Sequence, residues 1–152
     1  MLQIALWEPE IPPNTGNIAR LCAANDCMLH LVGRLGFHLD DRSLKRAGCD
    51  YWGHVRWMLH HKLSDFVQFC QQERTRIIGV ETGCPRPYTA IRYRPGDCLL
   101  FGSESRGLPA EVLEQTDEQV HIPMSTSNVR SLNLATAAGI VLYEALRQLY
   151  DW

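Results

Sequence analysis

Cys98-Leu99-Leu100-Phe101 places four apolar residues in a row with no polar alternation, a run that fits a strand covered on both faces, as in a parallel sheet. It leads directly into Gly102-Ser103-Glu104-Ser105-Arg106-Gly107-Leu108-Pro109. In open α/β sheets ligands sit in the crevice at the carboxyl ends of the strands, where glycines let backbone groups approach closely. The strand and its loop therefore predict a parallel α/β fold with a ligand site at residues 102–108. Two glycines four residues apart also resemble the start of a phosphate-binding loop, but that loop needs Lys and then Ser or Thr after the second glycine. Leu108 and Pro109 stand there, and no G-x-G-x-x-G follows any strand, which argues against both a nucleoside-triphosphatase and a dinucleotide fold. The plainer alternative is a turn, with Pro109 opening a short helix that runs to Gln115.

The rest of the chain repeats the alternation. Leu2–Trp7 reads as a first strand, and Pro9, Pro12 and Pro13 mark the following segment as loop. Asn14 or Thr15 then caps a helix with Ile18, Leu21 and Cys22 on one face, ending near Asn25-Asp26. Further strands are expected at Met28–Val32, Val55–Met58, Ile77–Val80 and Gln119–Ile122, giving six with Cys98–Phe101. Helices are expected at Asp41–Gly48, Ser64–Gln72 and Leu132–Tyr150, the last with Leu134, Ala138, Val141, Leu142, Ala145 and Leu149 at helical spacing. A mostly parallel six-stranded sheet with helices on both faces follows.

At 152 residues the chain has the length of a single domain, taken as residues 1–152. It has no long apolar run for a membrane span and no charged-then-apolar leader, so a cytoplasmic protein with no membrane partner is expected. The six cysteines form no C-x-x-C pair and read as buried free thiols, and His60-His61 lacks a nearby third ligand, so no metal is expected. A net charge of −2 gives no overall attraction to nucleic acid, yet the 15 basic residues are lopsided, with only Lys45 and Lys62 not arginine. Arg suits bidentate phosphate recognition and stacking on bases, although a GC-rich genome gives the same bias.

Two further segments join a strand end to a helix through polar, special-geometry residues. They are Asn14-Thr15-Gly16-Asn17-Ile18-Ala19-Arg20 and Ile122-Pro123-Met124 through Arg130-Ser131-Leu132-Asn133-Leu134-Ala135. With the Gly102 loop, Arg46-Ala47-Gly48-Cys49-Asp50-Tyr51 and Tyr143-Glu144-Ala145, they cover nearly the whole chain and resemble the motifs of the SPOUT methyltransferases, RNA methylases with a knotted α/β fold. Within that family the pattern is most similar to enzymes that methylate the ribose 2′-hydroxyl of the tRNA wobble nucleotide.

The resemblance implies a C-terminal trefoil knot, which ordinary connection rules would not suggest. It implies transfer of a methyl group from S-adenosylmethionine to position 34, cytidine or modified uridine, of tRNA, leucine isoacceptors included. Cofactor contacts would come from Val80, Glu81, Gly102, Glu104, Ile122, Ser131, Leu132 and Asn133. Arg20 would have the central catalytic role, with Glu104 and Tyr143 as further catalytic candidates. Because arginine is essentially always protonated, Arg20 reads as a clamp on ribose or phosphate rather than a base. Arg42, Lys45, Arg46, Arg106 and Arg130 are the expected RNA contacts. The same resemblance implies a homodimer, and the apolar stripe ending in Tyr150-Asp151-Trp152 agrees with a covered subunit face. Methylation of another tRNA or rRNA site, a non-catalytic RNA-binding module and a small-molecule nucleotide-binding protein are the competing readings.

Overall fold

In the computed structural model, which describes residues 1–40, 42, 44, 46 and 49–152, all paired strands run parallel. They are β1 (Gln3–Trp7), β2 (Met28–Val32), β3 (Trp57–His60), β4 (Ile77–Val80), β5 (Arg86–Pro87), β6 (Cys98–Phe101) and β7 (Glu118–His121). Their order across the sheet is β3-β2-β1-β6-β4-β7-β5. β1 sits between β2 and β6, pairing Leu6 with Leu31 on one side and Phe101 on the other. From β1 the chain builds outward to β2 and β3, then returns to fill the other half of the sheet with β4 to β7. β4 and β6, the apolar runs, are buried along their whole length because neighbours flank them and helices cover both faces.

Alternate residues feed two cores. Ile4, Leu6, Leu29, Leu31, Leu99 and Phe101 point to one face, which packs under α1 (Pro12–Ala24) and α4 (Leu134–Tyr150). Ala5, Val32, Ile77, Cys98 and Leu100 point to the other, covered by α2 (Leu63–Gln72) and the short α3 (Ala110–Leu113). On this second face a polar chain crosses three strands. Gln3 donates from Nε2 to Thr75 Oγ1 at 3.1 Å, His30 Nε2 lies 2.7 Å from Gln3 Oε1, and His30 Nδ1 lies 3.0 Å from His60 Nε2. Since Gln3 Oε1 can only accept, His30 donates to it from Nε2 and accepts at Nδ1 from His60. Phe66 and Phe69 of α2 pack against both imidazoles. Burial, with the neighbouring His60, pushes His30 down to about 3, and burial lowers His60 as well.

Several boundaries differ from expectation. The sheet has seven strands, not six, because Arg86–Pro87 adds a two-residue edge strand beside β7, too short to carry a periodic pattern; Pro87 can sit there because an edge needs no second donor. The third strand is Trp57–His60 rather than Val55–Met58: His60 pairs with Val32 and is buried by its bond to His30, so a polar residue ends the strand. Pro12 and Pro13 are not loop but the first turn of α1, with Ile11 as the N-cap in place of Asn14 or Thr15. A proline ring suits that turn, where the missing N–H would have had no intrahelical acceptor. α4 begins at Leu134, two residues later than expected, because Asn133 caps it by accepting from Thr136 N at 3.1 Å. Of the expected helix at 41–48, Arg42, Leu44 and Arg46 are helical, and the remaining positions lie outside the described residues.

The thiols of Cys22, Cys27, Cys70, Cys84 and Cys98 are free and buried. Burial pushes Cys27 up to about 11 and Cys70 to about 12, so both stay protonated. Among the described residues no helix is long and apolar enough to cross a membrane, and no group of three or more His, Cys, Asp or Glu is placed to hold a metal ion.

Candidate active site

β6, β4 and β7 are adjacent, so the segments leaving their carboxyl ends meet at one place. A cavity of about 190 Å³ lies there, framed by Val80–Thr82, Phe101–Glu104 with Gly107, and Ile122 with Met124. Ser131, Leu132 and Asn133 close it from the approach to α4, and Asn14 of α1 forms a further wall. All eight residues expected to contact a cofactor, Val80, Glu81, Gly102, Glu104, Ile122, Ser131, Leu132 and Asn133, line this single cavity. Val80, Ile122 and Leu132 supply apolar surface, and the loop backbones supply donors and acceptors, the usual composition of a small-molecule site.

The glycines serve the loop itself. A Cβ on Gly102 would stand 2.0 Å from the carbonyl carbon of Gly107 and 2.3 Å from the Leu108 nitrogen. The loop folds back on its own start, with Gly107 N donating to Ser103 O at 2.9 Å. Gly107 takes a φ of +65°, and a Cβ there would strike the Glu81 carboxylate. That carboxylate accepts from Leu108 N at 2.6 Å and Thr82 N at 3.1 Å, tying the β4 and β6 loops together. Glycine at 102 is thus required for closure of the loop, not only for a ligand's approach.

Glu104 reaches the other way. Its carboxylate accepts from the backbone N–H of Glu10, at 3.0 and 3.1 Å to the two oxygens, and from that of Ile11. Ile11 is the N-cap of α1, so the anion sits where the helix dipole and free amides favour negative charge. Glu10 returns the contact, accepting from Ser105 N at 3.1 Å and Ser105 Oγ at 2.6 Å. The Ser105 hydroxyl and amide hold the Glu10 carboxyl below the usual carboxylate range. Asn133 Nδ2 donates to Asn14 Oδ1 at 3.0 Å, joining the starts of α4 and α1. Glu10, Ser105, Asn14, Thr82 and Met124 are absent from the sequence-based site. No local pattern links Glu10 to a residue 95 positions away.

The remaining candidates are more dispersed. Arg106 pairs with Glu8 at 3.4 Å, and Arg130 Nη2 donates to Ser105 O at 3.4 Å, so both basic groups border the Gly102 loop. Arg42 and Arg46 are exposed on their own helical segment, and Lys45 lies outside the described residues. Arg20 is not a wall of the cavity. It is exposed on α1, six residues or about 9 Å along the axis from Asn14, and its Cζ lies 5.1 Å from the centroid of the Tyr51 ring. Tyr143 also stands outside the cavity, 47% exposed on α4, with its ring 6.4 Å from that of Trp152.

The fold is a parallel sheet whose cavity is framed by three loop ends and closed by the start of the last helix. The chain belongs to the SpoU methylase family, described as the SpoU rRNA Methylase family, which matches residues 1–143. It is similar to the tRNA (cytidine(34)-2′-O)-methyltransferase of Yersinia pestis, 45% identical over 154 residues that cover 98% of this chain and 94% of that protein. The enzyme of the same name from Escherichia coli K12 is 44% identical over 152 residues, with the same coverage. A solved structure concerning 2-OH methylation of C/U34 on tRNA superposes with a TM-score of 0.95 at 46% identity, covering 100% of this chain and 98% of that one. An AdoMet-bound rRNA methyltransferase from Sinorhizobium meliloti gives a TM-score of 0.88 at 28% identity, covering 97% of this chain and 56% of that one.

Proposed function

We propose that this chain transfers a methyl group from S-adenosylmethionine to the ribose 2′-hydroxyl of the wobble nucleotide of tRNA, cytidine or modified uridine at position 34, leucine isoacceptors included. The observation that carries this reading is the meeting of the Val80, Gly102 and Ile122 loop ends on one cavity, in a chain 44–46% identical over nearly its full length to proteins named for that reaction. The cavity's chemistry fits the cofactor. Val80, Ile122 and Leu132 offer apolar surface to an adenine ring, while backbone groups at Gly102 and residues 131–133 offer hydrogen bonds to its edge. When bound, S-adenosylmethionine supplies a methyl group already activated by its sulfonium.

The residues of the chain then have to bring a ribose hydroxyl in line and tolerate the charge that develops on it. Arg20, permanently charged and carrying a planar fork of donors, clamps the ribose or its phosphate and stabilises that charge. Glu104 already accepts from the amides of Glu10 and Ile11, so its role is to fix the start of α1, and with it Asn14 and Arg20, against the cavity. Arg106 and Arg130 beside the loop, and Arg42, Lys45 and Arg46 further out, hold RNA phosphates.

The finer reading also includes a homodimer in the cytoplasm and a knot. Tyr143, Tyr150 and Trp152 form an exposed aromatic row, 47%, 62% and 65% accessible, with the last two rings stacked at 5.3 Å. A second subunit on this row would cover it and carry Tyr143 toward a neighbouring site. The knot would thread the C-terminal chain through a loop. Supporting it, Ser131–Leu134 and Gly102–Glu104 line one cavity, and α4 packs on α1 and β6.

Ribose methylation at position 34 in total tRNA, from cells with and without this gene, tests the reading. Loss of the 2′-O-methyl group at that nucleotide alone is expected. An unchanged position 34, with a methyl group missing from a guanine base or from rRNA, would assign the chain a different substrate.

A further inference from the structure

Arg20 is 31 positions from Tyr51 in the sequence, yet its guanidinium carbon lies 5.1 Å from the Tyr51 ring centroid. Tyr51 belongs to a 3-10 turn, Cys49–His54, that packs on α1. Its neighbours anchor that turn. Trp52 packs against the main core and lies 5.8 Å from Trp57, and Val55 is buried and donates from its N–H to Trp52 O at 3.3 Å. Tyr51 itself is 41% exposed, so the core gains little from an aromatic ring there, whereas the guanidinium does.

The kind of contact matters. A carboxylate would also hold Arg20, but it would occupy N–H donors and neutralise the charge that a ribose or phosphate must meet. A ring face attracts the cation through its quadrupole and leaves the charge and the donor fork available. Among the described residues Arg20 makes no ion pair. We infer that Tyr51 is a positioning residue: its ring holds the Arg20 guanidinium in place, still charged and able to donate, for the incoming nucleotide. The inference rests on the role proposed above for Arg20.

Single-turnover methylation of tRNA by the full chain, with enzyme saturating, separates the two ideas when run on a double-mutant cycle. Tyr51→Ala is expected to slow the chemical step by about two- to fivefold, the scale of an exposed cation–π contact, while adenosylhomocysteine binding and the melting temperature stay parental. Tyr51→Phe, which keeps the ring, is expected to restore the parental rate. In an Arg20→Ala background the Tyr51→Ala change should cost nothing further, a result that a merely structural role would not give. An equal loss in both backgrounds, or a Tyr51→Phe rate as low as that of Tyr51→Ala, would overturn the inference and leave Arg20's role standing. A parental rate for Arg20→Ala alone would overturn the Arg20 reading and the inference with it. Should Tyr51→Ala melt early, Tyr51→Leu serves in its place, judged by the same cycle.

Discussion

Around the cavity, Glu104 is tied to the amides of Glu10 and Ile11, Glu10 to Ser105, Glu81 to Leu108, and Asn133 to Asn14, whereas Arg20, one helix face away, lies over the Tyr51 ring and makes no ion pair among the described residues. The first region is assembled from backbone groups and carboxylates that hydrogen-bond one another. The second presents the exposed Arg20 guanidinium on the Tyr51 ring, a contact that leaves its charge in place. The contrast suits the two halves of a methyl transfer. A small ligand binds well in a rigid cradle that has already lost its conformational entropy, while a large anionic partner is met by accessible cations. Substitutions should therefore act differently in the two regions, on ligand affinity in one and on the chemical step or RNA binding in the other.

The largest effect is expected at Arg20. Arg20→Ala should lower single-turnover methylation by about two to three orders of magnitude, roughly 2.7 to 4 kcal/mol, the range for losing one preorganised electrostatic donor. Arg20→Lys should recover little, because an ammonium lacks the planar fork. Adenosylhomocysteine binding should survive both changes; its loss would show that the two regions are not separable. Gly102→Val probes the opposite side. In the parent, adenosylhomocysteine at about a hundred times its dissociation constant should raise stability by roughly 2.7 kcal/mol in thermal melts. The variant should lose that whole increment, since its Cβ would collide with the backbone at Gly107 and Leu108. A retained shift would place the ligand elsewhere.

A third region sharpens the contrast, because the His30–His60 chain is buried and polar yet far in role from either. Both imidazoles titrate below their ordinary value of 6.5 in the folded protein. The unfolded chain therefore takes up protons first as pH falls, and stability should drop below about pH 6.5, with His30 contributing down to about 3. The slope from one such histidine is at most about 1.4 kcal/mol per pH unit. His30→Gln, which cannot titrate, should flatten the dependence of denaturant midpoints between pH 6.5 and 4.5, and an unchanged slope would mean that carboxylates dominate it. The smallest effects belong to the outer basic groups. Arg42→Ala or Arg46→Ala should each reduce the log–log salt dependence of tRNA binding by up to about 0.7 to 0.9, with ligand affinity constant. Parental slopes for both would make that segment a solvated helix face.

The apolar run 98–101 is enough to read a buried parallel strand, because a doubly covered strand leaves an unbroken hydrophobic signature, and the loop after it lines the cavity. The eight cofactor candidates, carried over from the family resemblance, meet in one cavity because three adjacent strands end there. What could not be read was anything fixed by distant partners. Glu104 is a candidate by its place in the motif, but its bonds to Glu10 and Ile11 depend on a loop 93 to 94 residues earlier and have no local signal. Pro12 and Pro13 read as loop because proline breaks helices, and the exception, the first turn, depends on where the helix starts. The histidine chain was equally hidden, since the register that brings Gln3, His30 and His60 together is a property of the sheet.

The most direct test of the account is to incubate the purified chain with S-adenosylmethionine and an unmodified tRNA transcript and to locate the transferred methyl group by nuclease digestion and mass spectrometry. The account predicts one methyl group on the ribose of nucleotide 34, resistant to alkaline cleavage at that linkage. A methyl group on a base, a ribose methyl at another position, or no transfer to tRNA alongside transfer to rRNA would contradict it.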